Sequence, residues 1–332
     1  MKVIMPMAGR GKRMRPLTWS RPKPLLHVAG NTVLGHTLDK FAPLDIDELV
    51  FITGYLGEDI QKYVATQYPQ FRARYYEQKE LLGQSHAVAL AREALTGPCL
   101  LLFVDTLFDA DLARLRTIEA DGVIFTMEVE DPRPFGVVVE EDGLVKRYIE
   151  KPTDFTYRKT TVGAFWVREG AELISAIDEE VRRGLRRNNE FYLADAFNIM
   201  IERGARFVSL PVTMWEDCGQ PETLLRTNRY LLEHGYANNP TLAGSVIIPP
   251  VNIHPAAQVE SAVIGPYVSI AAGARVTNTV LADSIVDAEA RVQDAIIRES
   301  LVGERAVLCG TPLQVTLGDD AFVARRDERL LM

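Results

Sequence analysis

Gly9-Arg10-Gly11-Lys12-Arg13 follows a short apolar strand, and Arg15, Arg21 and Lys23 come soon after it. Glycines at such a turn let the backbone approach an anion and aim several N–H groups at it, while basic side chains neutralise its charge. The pattern suits a polyphosphate. It is neither the GxGxxG dinucleotide fingerprint nor the GxxxxGK[ST] Walker loop. In isolation, a tight turn beside a solvated basic patch explains it equally well. A second chemical feature is the apolar run Leu100-Leu101-Leu102-Phe103-Val104, which ends in Asp105. A carboxylate placed there emerges at the ligand-bearing edge of a sheet, where it can hold a hard cation or cap a helix.

These residues need a framework, and hydrophobic periodicity describes one. Candidate strands at Lys2–Met5, Glu48–Ile52, Cys99–Val104, Gly122–Met127 and Phe207–Pro211 alternate with helical patterns near Val33–Phe41, Gly57–Gln67, Ser85–Glu93 and Glu169–Glu180. That alternation predicts a layered α/β domain with a mainly parallel sheet. After about Gly235 the texture changes. Ile247, Ile253, Val259, Ile264, Ile270, Val276, Leu281, Val286, Val292, Ile297 and Val302 recur at steps of five or six. This is the hexapeptide rhythm of a parallel β-helix, the alternative being ordinary short strands in a sandwich. A chain of 332 residues exceeds what one core usually serves. The expected organisation is therefore a first domain over residues 1–235 and a repeat domain over 245–320.

Taken whole, the stretch from Met7 to Thr18, followed by Arg21-Pro22-Lys23-Pro24-Leu25-Leu26, resembles the signature of the sugar-1-phosphate nucleotidyltransferases, G-x-G-[ST]-R-[LM]-x-P-[LM]-T and then P-K-P. Lys12 departs from it, as does the Met5-Pro6-Met7-Ala8 approach; Arg13 and Lys23 match the family's triphosphate-handling positions. Val104-Asp105-Thr106-Leu107-Phe108 resembles the family's G-D-[NT]-L-[FI], with Val104 in place of Gly. Trp215-Glu216-Asp217-Cys218-Gly219-Gln220-Pro221-Glu222 is similar to W-x-D-x-G-[TS]-P-[ED]. The other similar segments contain Gln78 with Gly83, Phe135-Gly136-Val137, Glu150-Lys151-Pro152, Gly163, and Glu190 with Asp195. They occur in family order over about residues 2 to 232.

The resemblance implies a Rossmann-like α/β nucleotidyltransferase domain of the GT-A type followed by a left-handed parallel β-helix. It implies transfer of a nucleotidyl group from a nucleoside triphosphate to a sugar 1-phosphate, with release of pyrophosphate. Ala8, Gly9, Gly11, Arg13, Gln78 and Gly83 are implied to bind nucleotide. Gly136, Glu150, Lys151 and Gly163 are implied to bind the sugar. Arg13, Lys23 and Lys151 would stabilise the reacting phosphates, and Asp105 with Asp217 would bind Mg²⁺. A Gln amide can meet the imide edge of uracil or thymine, so dTTP or UTP with glucose-1-phosphate is the expected pair. GTP with mannose-1-phosphate, ATP with glucose-1-phosphate, and a silent nucleotide-sugar-binding subunit stand as alternatives. His86 is expected to pack or cap, and His254 to be structural.

Bulk composition narrows the setting. A formal charge of −8 disfavours broad attachment to nucleic acid or anionic lipid. Cys99, Cys218 and Cys309 form no CxxC or zinc-finger spacing, and the chain shows no signal-peptide pattern and no apolar run long enough to span a bilayer. The expectation is a soluble cytoplasmic homo-oligomer without nucleic-acid or membrane partners.

Overall fold

Residues 1–41, 44–310 and 315–324 are described by the computed structural model. The chain divides into two units, Met1–Gly9 with Thr37–Trp215, and Arg10–His36 with Glu216–Met332.

In the first unit nine strands form one sheet: β1 (Lys2–Pro6), β2 (Glu48–Thr53), β3 (Ala73–Glu77), β4 (Cys99–Leu102), β5 (Gly122–Glu128), β6 (Gly136–Glu141), β7 (Leu144–Glu150), β8 (Lys159–Val167) and β9 (Phe207–Pro211). Their order is β7-β6-β8-β4-β1-β2-β3, with β5 on β8 and β9 on β5. β4, β1, β2 and β3 are mutually parallel, as are β5 and β9. β8 runs antiparallel to β4, β5 and β6, so the sheet is mixed rather than mainly parallel. The β6–β7 reversal has a local cause. Asp142 and Gly143 both take positive φ, 52° and 74°, and such a tight turn returns β7 antiparallel along β6.

β4 also stops earlier than its apolar run suggests. The N–H of Phe103 still donates to the Gly163 carbonyl at 2.9 Å, but Val104 and Asp105 already form a turn. The sheet's central residues Ile4, Val50, Ile52, Leu101 and Phe165 join a core with Val88, Leu173, Ile177 and Phe197. Of the helices α1 (Gly57–Gln67), α2 (Gln84–Leu90), α3 (Gly170–Arg183) and α4 (Leu193–Glu202), the last three supply these four residues. α3 shows how such a helix is specified. The Glu169 carboxylate accepts the Ala171 N–H at 3.2 Å at its start, and Gly184 ends it at φ 66°.

In the second unit, α5 (Pro221–Leu231) opens with a capping box, in which Thr223 Oγ1 accepts the Gln220 N–H at 3.1 Å. The chain then enters a parallel β-helix of the left-handed hexapeptide type. Its three sheets stack the aliphatic repeat into columns: Ile247, Ile264, Leu281 and Ile297 in one, Ile253, Ile270, Val286, Val302 and Leu317 in the second, Val259, Val276, Val292 and Leu308 in the third. Ile264, Ile270, Val276, Leu281 and Val286 are fully buried. Periodicity and packing thus agree residue by residue. Among the described residues no helix is long and apolar enough to cross a membrane.

Because Ile270 fills the middle of a close-packed column, Ile270→Ala should cost about 2–5 kcal/mol of unfolding free energy. Denaturant titration followed by circular dichroism checks this, and a change below about 1 kcal/mol would show that the column can collapse around the gap.

Candidate functional site

The predicted residues fall on both units, and each group has its own geometry. In the first unit β1 ends at Pro6, and the Met7 N–H still pairs with the Ile52 carbonyl at 2.8 Å. Ala8 is buried and Gly9 exposed. A Cβ on Gly54 would meet the Ala8 carbonyl at 2.8 Å, so this glycine, which sequence reasoning passed over, permits the close approach of two strand ends. Its only sequence signal was its place directly after β2.

Gln78 is buried and internally engaged. Its Nε2 donates to the Gly83 carbonyl at 3.1 Å and to His86 Nδ1 at 3.1 Å. Both amide hydrogens are thereby directed inward, and Oε1 takes part in neither bond. Since an amide NH₂ only donates, His86 Nδ1 is the acceptor, and His86 packs at the helix start as expected. Gly83 has φ +100°, and a Cβ there would lie 2.3 Å from the Phe191 carbonyl oxygen. Backbone bonds lock the contact, with Phe191 N–H donating to Leu82 O at 2.8 Å and Ser85 N–H to Phe191 O at 3.2 Å. At the carboxyl ends of β2 and β3 a cavity of about 510 Å³ is lined by Thr53, Gly54, Gly57, Tyr75, Tyr76 and Glu77, none of them a predicted site residue. Asp105 is half-buried in the turn after β4.

Glu150 ends β7 and Lys151 follows it. Lys151 takes a left-handed φ of 50°, uncommon for a side chain of this kind, and its N–H donates to the Phe135 carbonyl at 3.0 Å. The Glu150 carboxyl is pushed above its ordinary pKa by burial, against the opposing pull of Lys151, Tyr148 and Arg187. Tyr148 supports it: the phenol lies 3.4 Å from Glu150 Oε2 and 3.2 Å from Thr161 Oγ1. Gly136 is required by the same ring, because a Cβ would sit 2.3 Å from Tyr148 Cε2. Gly163, at φ +77°, lies within the register irregularity of β8 and faces Phe103.

Sequence reasoning missed two supports of this corner. Asn198 of α4 brackets the Tyr148 peptide, accepting its N–H and donating to its C=O, both at 2.8 Å. Arg187 holds Asp195 through two contacts of 2.6 and 2.7 Å. The tight Arg187–Glu190 turn, with Asn188 and Asn189 at positive φ, presents that guanidinium. Asn-Asn was the available turn signal.

In the second unit, Gly11 has φ +57° and begins the 3₁₀ turn Lys12–Met14. A Cβ on it would meet Thr18 Cγ2 at 3.0 Å and Lys23 Cβ at 3.2 Å, and the Thr18 hydroxyl donates to the Gly11 carbonyl at 2.8 Å. The loop is therefore folded back so that Gly11 lies against Lys23. Arg13 is exposed and Lys23 half-buried. Asp217 Oδ1 accepts the Gly219 N–H at 2.9 Å. A Cβ on Gly219 would crowd Asp217 Oδ1 at 2.7 Å and Arg13 Nη2 at 3.4 Å, so Asp217 and Arg13 converge on one glycine. Arg21 is bound to Asp287 and Glu304. His254 Nδ1 accepts the Ala256 N–H at 3.1 Å, a turn-capping role.

Among the described residues no cluster of three or more His, Cys, Asp or Glu could by itself hold a metal ion. The acids available are hard oxygen donors on loop and strand ends. A carboxylate is the kind of donor that Mg²⁺ takes, with water and phosphate oxygens completing its shell.

Comparison with known proteins adds the following. A family model described as nucleotidyl transferase matches residues 2–234. The chain is 27% identical over 258 residues to the bifunctional protein GlmU of Methanococcus vannielii, covering 75% of this chain and 61% of that protein. It therefore spans less than two thirds of that relative's length. It is 27% identical over 230 residues to the UTP–glucose-1-phosphate uridylyltransferase AglF of Haloferax volcanii, covering 67% of this chain and 93% of the relative. To a mannose-1-phosphate guanylyltransferase catalytic subunit beta of Xenopus tropicalis it is 28% identical, covering 68% and 63%. A UDP-glucose pyrophosphorylase solved with UDP-glucose superposes with a TM-score of 0.60 at 18% identity, covering 70% of this chain and 98% of that one. That likeness shows the fold.

The corner around Gln78 and Gly83 yields two expectations. Gly83→Ala should lower stability by about 2 kcal/mol or more, because it combines an unfavourable φ with a clash against backbone; thermal unfolding measures it. Nearby Glu180 is fully buried with no hydrogen-bond partner on either carboxyl oxygen. Burial pushes its pKa from 4.5 up to about 7. The folded pKa lies above the unfolded one, so stability falls as pH rises from about 4.5 to about 7 and is level beyond. Glu180→Gln should match the parent below about pH 4.5 and exceed it by about 2–3 kcal/mol above pH 7. An advantage independent of pH in denaturant titrations would contradict the assignment.

Proposed function

Since the chain belongs to the nucleotidyl transferase family, with the family match covering residues 2–234, we propose that it transfers a nucleotidyl group from a nucleoside triphosphate to a sugar 1-phosphate. Residues 1–235 would form the transferase and 245–320 the β-helix domain, in a cytoplasmic homo-oligomer. The observation that carries the reading is the folded signature loop. Its left-handed Gly11 packs against Lys23, and Arg13 approaches Asp217 through Gly219.

In the reaction the sugar-phosphate oxygen attacks the α-phosphorus in line, the bond to the β-phosphate oxygen breaks, and pyrophosphate leaves. The nucleophile is already ionised at neutral pH, so orientation and charge stabilisation do the work. Arg13 and Lys23 bind the triphosphate, with Ala8, Gly9 and Gly11 allowing backbone approach. Lys151 meets the sugar phosphate, and its left-handed backbone is the kind of local strain found at functional positions. Glu150, Gly136 and Gly163 contact the sugar. Asp105 and Asp217 would hold Mg²⁺, which when bound neutralises charge on the phosphates.

Gln78 supports a pyrimidine. Its Nε2 is committed to Gly83 and His86, so Oε1 is the atom that can accept the N3–H of uracil or thymine. We favour dTTP or UTP with glucose-1-phosphate. Guanine also presents an N–H to such an acceptor, and a mannose-1-phosphate guanylyltransferase is among the similar proteins, so GTP with mannose-1-phosphate is the second reading.

The test is pyrophosphate release with Mg²⁺, pairing dTTP, UTP, GTP, ATP and CTP with glucose-1-phosphate and mannose-1-phosphate. Release should need both substrates, disappear with excess EDTA and return with Mg²⁺. Asp105→Asn and Asp217→Asn should each lower kcat by about 100-fold or more. Near-normal turnover and metal dependence in Asp217→Asn would sink the metal assignment; nucleotide-sugar binding without release for any pair would favour a silent regulatory subunit.

A further inference from the structure

Arg21 lies in sequence between Arg13 and Lys23, yet its charge is already matched inside the second unit. Nη1 donates to Asp287 at 2.6 Å and Nη2 to Glu304 at 2.5 Å. Burial opposes its charge, but Asp287, Glu304 and Asp319 outweigh that and raise its pKa. Asp287 and Glu304 stand on successive β-helix coils, just after the paired residues Val286 and Val302. Beside them the Ser20 hydroxyl donates to Asp319 Oδ2 at 2.7 Å, while Asp319 Oδ1 accepts the Glu304 N–H at 2.9 Å. Pro16 presses on Gly318, where a Cβ would lie 2.8 Å from Pro16 Cβ.

The same segment is pinned again further on. Asn228 of α5, fully buried, accepts the Ala29 N–H at 3.0 Å and the Ser269 hydroxyl at 2.6 Å, and donates to the Tyr267 carbonyl at 3.1 Å. Gly30 faces Asn252 so closely that a Cβ would lie 2.6 Å from its Nδ2. Asn252, Ser269, Asp287, Glu304 and Asp319 lie on or just after the five strands of a single β-helix sheet. One sheet edge therefore grips the loop from Pro16 to Gly30, coil after coil.

We propose that Arg21 is a positioning residue and that the Asp287–Glu304 pair of the β-helix sets the pose in which Arg13 and Lys23 receive the triphosphate. The inference rests on the nucleotidyl transfer reading for what the loop binds. Its physical basis is that the loop's own structure is two three-residue 3₁₀ turns, while Arg21 is a two-handed, partly buried anchor two residues from Lys23. Removing one partner of such an anchor leaves a charge uncompensated and frees the loop.

The experiment compares the full chain with Asp287→Asn, Glu304→Gln, Arg21→Lys and the Arg21→Lys/Asp287→Asn pair. Circular dichroism and thermal unfolding accompany steady-state kinetics and direct calorimetric titration with the nucleoside triphosphate. Asp287→Asn and Glu304→Gln should each raise KM and Kd for the triphosphate about tenfold, with KM for the sugar 1-phosphate within about twofold. Arg21→Lys keeps the charge but cannot hold both carboxylates well, and its effect should not add to that of Asp287→Asn. Lowered thermal stability with triphosphate affinity within twofold of the parent would overturn the proposal, as would equal weakening of both substrates. If the parent turns over no substrate pair, the transfer reading fails, and the triphosphate titration still decides whether the anchor positions the loop. Should Asp287→Asn not fold, Glu304→Gln and Arg21→Lys carry the comparison.

Discussion

Cations that are to handle a polyphosphate must be held at fixed separations, and Arg13 and Lys23, proposed for that role, sit on a segment with little regular structure of its own. The 3₁₀ turns Lys12–Met14 and Lys23–Leu25 are each three residues long, too short to resist displacement through backbone hydrogen bonds alone. Their shape comes from side chains. Thr18 closes the first turn onto Gly11, Asn228 receives the segment at Ala29, and Arg21 spans two coils of the β-helix. Each polar group in that chain of contacts is paired, which is the condition under which burying polar atoms costs little and confers a single geometry. The hexapeptide repeat thus supports the loop that carries Arg13 and Lys23.

The first unit solves a related problem with apolar packing. Tyr148 stacks with Phe165 and Phe197 at ring-centroid distances of 6.0 and 6.3 Å, which fixes the phenol beneath Glu150. Asn198 clamps the same residue by its peptide. Burial drives the Tyr148 pKa upward, and the adjacent Glu150 charge adds to the effect, so the phenol remains a neutral hydrogen-bond donor beside the carboxyl. Glu150 and Lys151 therefore stand on a rigid strand end backed by core aromatics, the kind of support a substrate-positioning pair needs. Glycines serve steric ends here: Gly136 makes room for the Tyr148 ring and Gly83 for the Phe191 backbone.

Periodicity is legible wherever burial is one-sided or repetitive. The hexapeptide rhythm from Ile247 to Val302 named the residues that fill the β-helix columns, because in a parallel coil stack every repeat places the same side chain at the same corner. The alternation of apolar strands and helices described a layered α/β unit for the same reason. Less legible was strand direction, since an apolar strand reads alike whether its neighbour is parallel or antiparallel, and the turn at Asp142-Gly143 was the local sign of the reversal. Supporting residues such as Asn198 and Arg187 were invisible because a polar residue on a helix or turn has no periodic mark; only the partner across the fold distinguishes it from solvated surface.

By itself the amino-acid order determined the alternating and repeating patterns of the two architectures, while the resemblance of its motifs to a known family implied which residues suit phosphates, a hard cation and a sugar. The patterns depend on local spacing, on turn residues and on burial that extends over a few neighbouring positions. Tertiary structure decided how that chemistry is allotted. Arg21, equal in charge to Arg13, is consumed by two carboxylates far along the chain, while Gln78 has its amide hydrogens turned inward and Lys151 is held in a left-handed backbone. The physical reason is that a side chain's availability depends on which groups the fold brings within hydrogen-bonding distance, and in this protein those groups come from a few residues away, as for Gln78, to hundreds of residues away, as for Arg21.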